Sequence, residues 1–468
     1  MKKVILFELN EVPFRIIDYF VDGHPDSTLA KAFPRCRKYE TFSEDVGHLS
    51  PWTTWPTVHR GVTNDSHYIA NFGQELDEVD SQFPPVWEIL AQAGIATGVC
   101  GSLHTYPLPK RLDGYSFYLP DTFAAGSECF PSTLDAFQEF NLAMARASPR
   151  NVQKKVEWGA AIRMLRSMPD LGFRFRTAAQ IGSQLVAERR QPWKAVRRRT
   201  YQTVLAFDVF MRQLQKTKPR FSTFFTNHVA SSMHRYWAAL FPTDYDVFDF
   251  EDEWVKTYRT EIDFTMGITD QLFTRLKNFV DRNAGYEIWI TTSMGQEATV
   301  AETCEKQVYL TDADKFFDAI MGKNFERHAR PAMAPQSNFL IPSRQSEFEE
   351  KLGLTRVAGM EIDYRVVDGG FFSLDFGHKN VKDEDCYLTV DGRRLSFEDA
   401  GLSNVEISDK SGCSAYHIPQ GSMIIYDPTD DRLTDDRKSV STTQIAPTIL
   451  SRFDVTRPSY MSKPFVST

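Results

Sequence analysis

The sequence predicts an α/β protein built on a mostly parallel central sheet with helices on both faces. Three observations predict it. Val4-Ile5-Leu6-Phe7 is a short, continuous apolar run, as expected of a strand buried on both sides. Polar residues able to do chemistry follow such runs at once, Glu8-Leu9-Asn10-Glu11 after the first and Asn227-His228 after Arg220–Thr226. In α/β sheets the carboxyl ends of strands are where ligands sit. Helix, glycine stop and strand also alternate, as in VWEILAQAGIATGVCGSLHTYP from Val86 to Pro107.

The remaining elements can be read in order. An amphipathic stretch from Phe14 to Phe20 follows the first strand. Ser50-Pro51 reads as a helix start, with serine at the N-cap and proline at the first helical position. The first-turn N–H groups of such a helix lack internal partners, and its dipole favours an anion there. Ser50, Thr53 and Thr54 all lie within about one turn of that end. Residues 131–219 are rich in helical periodicity and arginine, and they read as a helical insertion or cap between the core segments 1–130 and 220–468. Their basic cluster, Arg189-Arg190, Lys194 and Arg197-Arg198-Arg199, is either a solvated helix face or an attractor for anions. A helix is expected from Trp254 to Val280, then a strand from Tyr286 to Thr292. An α+β insertion is expected from about Phe316 to Asp409, and a strand from Ser422 to Tyr426.

Composition bounds the function. With 468 residues the chain can form one large domain with insertions, or two domains. A formal charge of −8 argues against nucleic acid as partner. Six cysteines without CxxC spacing suggest neither a disulfide framework nor a zinc knuckle. The apolar run after Met1-Lys2-Lys3 is too short for a signal sequence or a membrane span, so a cytoplasmic protein is expected.

The run SPWTTWPTVHRGVTNDSHYI resembles the nucleophile segment of the alkaline phosphatase superfamily, in its type I phosphodiesterase/nucleotide pyrophosphatase branch. Gly61 and His67-Tyr68-Ile69 keep the family's spacing from glycine to histidine, while Arg60 replaces a threonine. Counting back from Gly61 puts Pro51 at the nucleophile. A one-residue shift gives Ser50, and reading TWP as the family's TFP gives Thr54, so Ser50, Thr53 and Thr54 all stand as candidates. The series after Val86 is also similar to that branch, and Thr443–Leu450 (TQIAPTIL) resembles its closing helix. The resemblance implies an alkaline phosphatase-like fold.

It also implies a metal site, and here the sequence departs from the family. Asn10 stands where the resembled turn has a metal-binding Asp, and Glu11 replaces its glycine. His234-Arg235-Tyr236-Trp237 matches, but Ala230 occupies the position of the partner Asp, with Asn227 and His228 nearby. Ser293 and Met294 replace the Asp-His pair before Gly295, which implies that a second metal is lost. His417 matches a ligand histidine, although Asp427 replaces the glycine before Pro428. The activity implied by the resemblance is that of a phosphodiesterase-like hydrolase or transferase of phosphate or sulfate esters with one divalent metal, zinc by preference. His228, His234 and His417 would hold the metal, with Asn10 as a further donor. A hydroxyl of Ser50, Thr53 or Thr54 would attack. The substrate expected is an anionic small molecule, or a glycan- or lipid-linked phosphate or sulfate ester. Two alternatives stand beside this reading. One is a metal-free pseudoenzyme serving as a binding or scaffold protein. The other is a metal-independent transferase with Glu8, Glu11 or Glu297 as general base.

Overall fold

The computed structural model describes residues 2–146, 171–367, 369–430 and 436–466. Its centre is an eight-stranded sheet. The strands are β1 (Lys3–Leu9), β2 (Arg37–Phe42), β3 (Thr97–Cys100), β4 (Tyr115–Leu119), β5 (Phe221–Thr226) and β6 (Tyr286–Thr291), followed late in the chain by β9 (Gln420–Tyr426) and β10 (Arg437–Ser441). Between these two groups, β7 (Gly295–Ala298) and β8 (Ala415–Ile418) form a separate antiparallel ribbon. The sheet order is β10-β2-β9-β6-β1-β5-β3-β4. Only β9 runs against the rest, antiparallel to both β2 and β6, so the expected mostly parallel sheet is what forms.

The first apolar run is central because β1 is paired on both edges, Val4 opposite Phe221 of β5 and opposite Glu287 of β6. Its side chains alternate between two cores, as a strand's period of two requires. Ile5, Phe7 and Leu9 join one core, Val4 and Leu6 the other. The first core is covered by α1 (Phe14–Gly23), α6 (Arg198–Thr217), α7 (His228–Leu240) and α9 (Glu261–Val280). There Phe7 stacks on Phe224 at 5.7 Å, with Phe207 edge-on to Phe224 at 5.1 Å. The second is covered by α2 (Pro51–Arg60), α3 (Val86–Gln92) and α10 (Ile445–Arg452), whose Trp52, Trp55, Trp87 and Ile449 are buried. Helices thus lie on both faces.

Three details differ from the sequence reading. The expected helix from Trp254 to Val280 is two helices, α8 (Asp252–Tyr258) and α9. At the break Tyr258 stacks on Tyr236 at 4.9 Å, and Glu261 is buried against Arg197. Within 131–219, helices α4 (Asp135–Arg146) and α5 (Phe175–Arg190) precede α6, and residues 147–170 of that expected insertion lie outside the described residues. Helix α6 itself packs on the sheet through Val204, Phe207 and Phe210, so this part is a face-covering helix leading into β5. The arginine cluster is largely drawn into internal contacts. Arg197 pairs with Glu261, Arg198 with Glu188, and Arg199 reaches Ser231.

The α+β insertion has its own core around Phe317, Phe348 and Phe372 and carries two four-stranded sheets. It hangs between β7 and β8. No helix among the described residues is long and apolar enough to cross a membrane.

Candidate metal centre and active site

The carboxyl ends of β1, β5 and β6 open onto one site, as the strand-end chemistry predicts. Immediately after β1, Glu11 has φ of +62°. That left-handed conformation is uncommon for a side-chain-bearing residue and natural for glycine, the residue the resembled family has there. The backbone turn is kept, and a carboxylate is added to it.

Glu11 is 1% exposed, and three elements converge on its Oε2. From α7, His234 places Nε2 at 2.9 Å. From β8, His417 places Nε2 at 3.3 Å. From β7, Gln296 donates Nε2–H to the same oxygen. On its other side His234 donates Nδ1–H to Ala415 O at 2.7 Å, and His417 donates Nδ1–H to Leu49 O at 2.7 Å. Because a carbonyl only accepts, both rings are fixed with Nε2 turned toward the carboxylate. The ligand atoms of Glu11, His234 and His417 all lie within 4.8 Å of one another. Two imidazoles oriented by backbone carbonyls and sharing a carboxylate are a donor set suited to a divalent cation. Burial alone would raise the pKa of Glu11, but the neighbouring His417 and His234 outweigh it and hold it well below 4.5. Burial opposes the charge on His234 as well. There the Cys413 sulfur and Glu11 prevail and raise its pKa well above 6.5.

The other proposed ligands are placed elsewhere. His228 is buried with both nitrogens engaged, Nδ1 with Thr226 Oγ1 at 2.7 Å and Nε2 with Thr269 Oγ1 at 3.0 Å. It starts α7 on the side that faces α9, about one and two-thirds turns before His234, so it points away from the cluster. Desolvation lowers its pKa to about 4, so it is a neutral core histidine. Asn10 lies beside the cluster, but its Oδ1 accepts from Trp55 Nε1 at 2.7 Å. Its Nδ2 donates to Glu11 Oε1 at 2.5 Å and Asn227 Oδ1 at 2.7 Å. Asn10 therefore acts as a brace. An Asn10→Leu variant leaves the buried Trp55 N–H and the half-buried Asn227 oxygen unpaired. It should lose about 1–3 kcal/mol of stability, read from its urea midpoint.

The hydroxyl candidates sit at the start of α2, next to Leu49. Ser50 is the N-cap residue, but its side chain does not cap the helix. Ser50 Oγ instead hydrogen-bonds Thr53 Oγ1 at 3.0 Å. The N–H groups of Thr53 and Thr54 both go to Ser50 O, at 3.0 and 2.9 Å, so the expected open anion cradle is not formed by those two. Thr54 shares its hydroxyl hydrogen between Ser50 O at 3.1 Å and Ser293 Oγ at 2.8 Å. Ser293 and Met294 are fully buried, and neither offers a charge. Of the three acids considered as bases, only Glu11 belongs to the site. Glu8 is buried against His59 Nε2 at 2.8 Å and accepts from Ser102 Oγ at 2.7 Å, while Glu297 is exposed on the ribbon.

No protein-family model matches this chain, and no curated protein does. Among solved structures, murine ectonucleotide pyrophosphatase/phosphodiesterase 5, as an inactive variant in complex with AMP, has 11% identity and a TM-score of 0.44, over 99% of this chain and 98% of that one. The human protein of that name gives 13% identity and a TM-score of 0.40, over 98% and 97%. Phosphonoacetate hydrolase from Sinorhizobium meliloti, in complex with phosphonoformate, gives 12% and 0.41, over 95% and 94%. Likeness of this degree carries no argument about this chain's fold or chemistry.

Proposed function

We propose that this chain is an enzyme that hydrolyses or transfers a phosphate or sulfate ester, with one divalent cation, zinc by preference, held by Glu11, His234 and His417. The observation that carries this reading is the pair of imidazoles, each tied through Nδ1–H to a backbone carbonyl and turned through Nε2 on one carboxylate oxygen. A cation there would supply positive charge beside an ester oxygen and polarise the reacting group. Ser50 is the nucleophile best placed, since it directly follows Leu49, whose carbonyl holds His417. Its Oγ forms a bond to phosphorus or sulfur while the ester oxygen leaves with a proton. Water or a second alcohol then takes the group from Ser50. The amino end of α2 favours the anionic group in both steps. Thr54 serves the fold, because its hydroxyl is committed to Ser293 and Ser50 O.

Neutral Ser293, bonded to Thr54, and Met294 stand where the resembled family carries the Asp-His pair of its second metal. That supports a single-metal chemistry. One observation favours the second reading, a metal-free binding protein. Glu11 also accepts from Asn10 and Gln296, and the two histidines could act as its counter-ions. Metal content of freshly purified protein, measured by mass spectrometry without added metal, separates the two. About one equivalent is expected. His417→Ala should lose both the metal and hydrolysis of a nitrophenyl phosphodiester or sulfate, and Ser50→Ala should lose hydrolysis while keeping the metal. Absence of metal with full activity would overturn the mechanism.

A further inference from the structure

Two amides flank Glu11, and they differ in one respect. Asn10 has its oxygen held by the Trp55 indole at 2.7 Å. Gln296, 1% exposed, donates Nε2–H to Glu11 Oε2 and to Ala230 O at 3.3 Å, while its Oε1 is buried without a hydrogen-bond partner. A buried carbonyl oxygen with no donor is costly and calls for an explanation. Asn10 is locked. Gln296 is not.

The β7–β8 register sets Gln296 directly opposite His417. Opposed residues of an antiparallel pair project from the same face, so both side chains reach the same Glu11 oxygen. An amide NH2 facing a carboxylate makes a hydrogen bond. A carbonyl facing it is repelled, unless a cation lies between them, and then the carbonyl becomes a second oxygen ligand. We infer that Gln296 is a fourth protein ligand of the cation, presenting Oε1 after a half-turn of its amide. This rests on the metal-centre reading under Proposed function. The completed set is one carboxylate oxygen, two imidazole nitrogens and one neutral carbonyl oxygen, compatible with zinc, manganese or cobalt. The half-turn gives the orphan Oε1 a partner in the cation, in exchange for the Nε2–H bonds to Glu11 Oε2 and Ala230 O. Ala230 removes the carboxylate expected one turn before His234 and leaves its own carbonyl to hold the amide in the other orientation.

The test uses the full chain, stripped with chelator and titrated with Co2+ alone by calorimetry and visible absorption. The unsubstituted protein is expected to bind about one Co2+. Gln296→Met, close in shape and without a hard donor, should bind roughly 10- to 100-fold more weakly. Its d–d spectrum should change, because the metal loses an oxygen ligand. Gln296→Glu should bind about tenfold more tightly, since it adds a charge to the set. The same variant should melt at a lower temperature than the unsubstituted protein in chelator and recover with Co2+, because two buried carboxylates then repel. Should Gln296→Met fail to fold, the Gln296→Glu pair of measurements carries the test. Unchanged affinity and spectrum in Gln296→Met, or no gain in Gln296→Glu, would overturn the role of Gln296 while leaving the three-residue centre standing. No Co2+ binding by the unsubstituted protein would instead sink the metal centre itself, and this inference with it.

Discussion

A Glu11→Gln variant should bind Zn2+ at least about 100-fold more weakly than the unsubstituted protein, a loss of about 2.7 kcal/mol in binding. The substitution keeps the size of the side chain and removes the only carboxylate among the grouped ligands. A neutral amide must then serve two imidazoles at 2.9 and 3.3 Å from one atom, and nothing balances the cation's charge. Ester hydrolysis should fall by at least the same factor. Glu8→Gln is the matched control. That carboxylate is equally buried but engages His59 and Ser102, so Zn2+ affinity should hold while stability falls. Isothermal titration of chelator-stripped protein reads both. Wild-type affinity in Glu11→Gln would place the cation elsewhere.

Acid should destabilise this protein well above the carboxylate range. Desolvation holds three histidines neutral, buried His67 and half-buried His104 at about 3 and buried His228 at about 4, against 6.5 when exposed. Arg60 adds to the effect at His67 and His104, Asp65 opposes it at His67, and His104 donates to Trp52 O. A depressed folded-state pKa means that the unfolded chain takes the proton first. The stabilising contribution is therefore complete above pH 6.5 and is lost as the pH falls toward 4. Each histidine costs about 1.4 kcal/mol per pH unit in that window. Together they should remove about 4 kcal/mol between pH 7.5 and 5.5, a large share of the roughly 5–15 kcal/mol that holds a typical protein folded. Urea midpoints at the two pH values check this, and His228→Gln should reduce the slope by about a third. A midpoint that does not move would mean that the three rings are charged in the folded state.

The sheet is legible in the sequence because its strands are short apolar runs followed by polar residues, a pattern set by burial on both faces. Val4–Phe7 and Phe221–Thr226 carry it directly. The same logic locates the start of α2, since proline at the first helical position costs no hydrogen bond. The site is legible only in part. Resemblance points to His234 and His417, and the structure groups them. It sets His228 beside them because two histidines after a strand look alike in one dimension; the turn of α7 separates them. Glu11 reads from sequence as a base, not as a ligand. Its two signals are a glycine position filled by an acid and, more than 200 residues later, an alanine where an acid is expected. A spacing argument cannot relate the two. Gln296 gives no signal, because its relation to His417 exists only in the β7–β8 register.

That register has a consequence for how such a protein can change. The whole α+β insertion is, topologically, the loop of a hairpin whose two short arms carry Gln296 and His417. Closing a longer loop costs little more than closing a shorter one, because the entropy grows only with the logarithm of length. A segment with its own core also brings its ends together when it folds. Meanwhile Arg365, from within it, acts electrically on His48 and Tyr416 at the rim of the centre. The insertion can thus be lengthened, trimmed or exchanged, and with it what the rim recognises, without touching the atoms beneath. A slip of a single residue between the two arms would do the opposite, turning one of those side chains away from Glu11 while the rest of the fold remained intact.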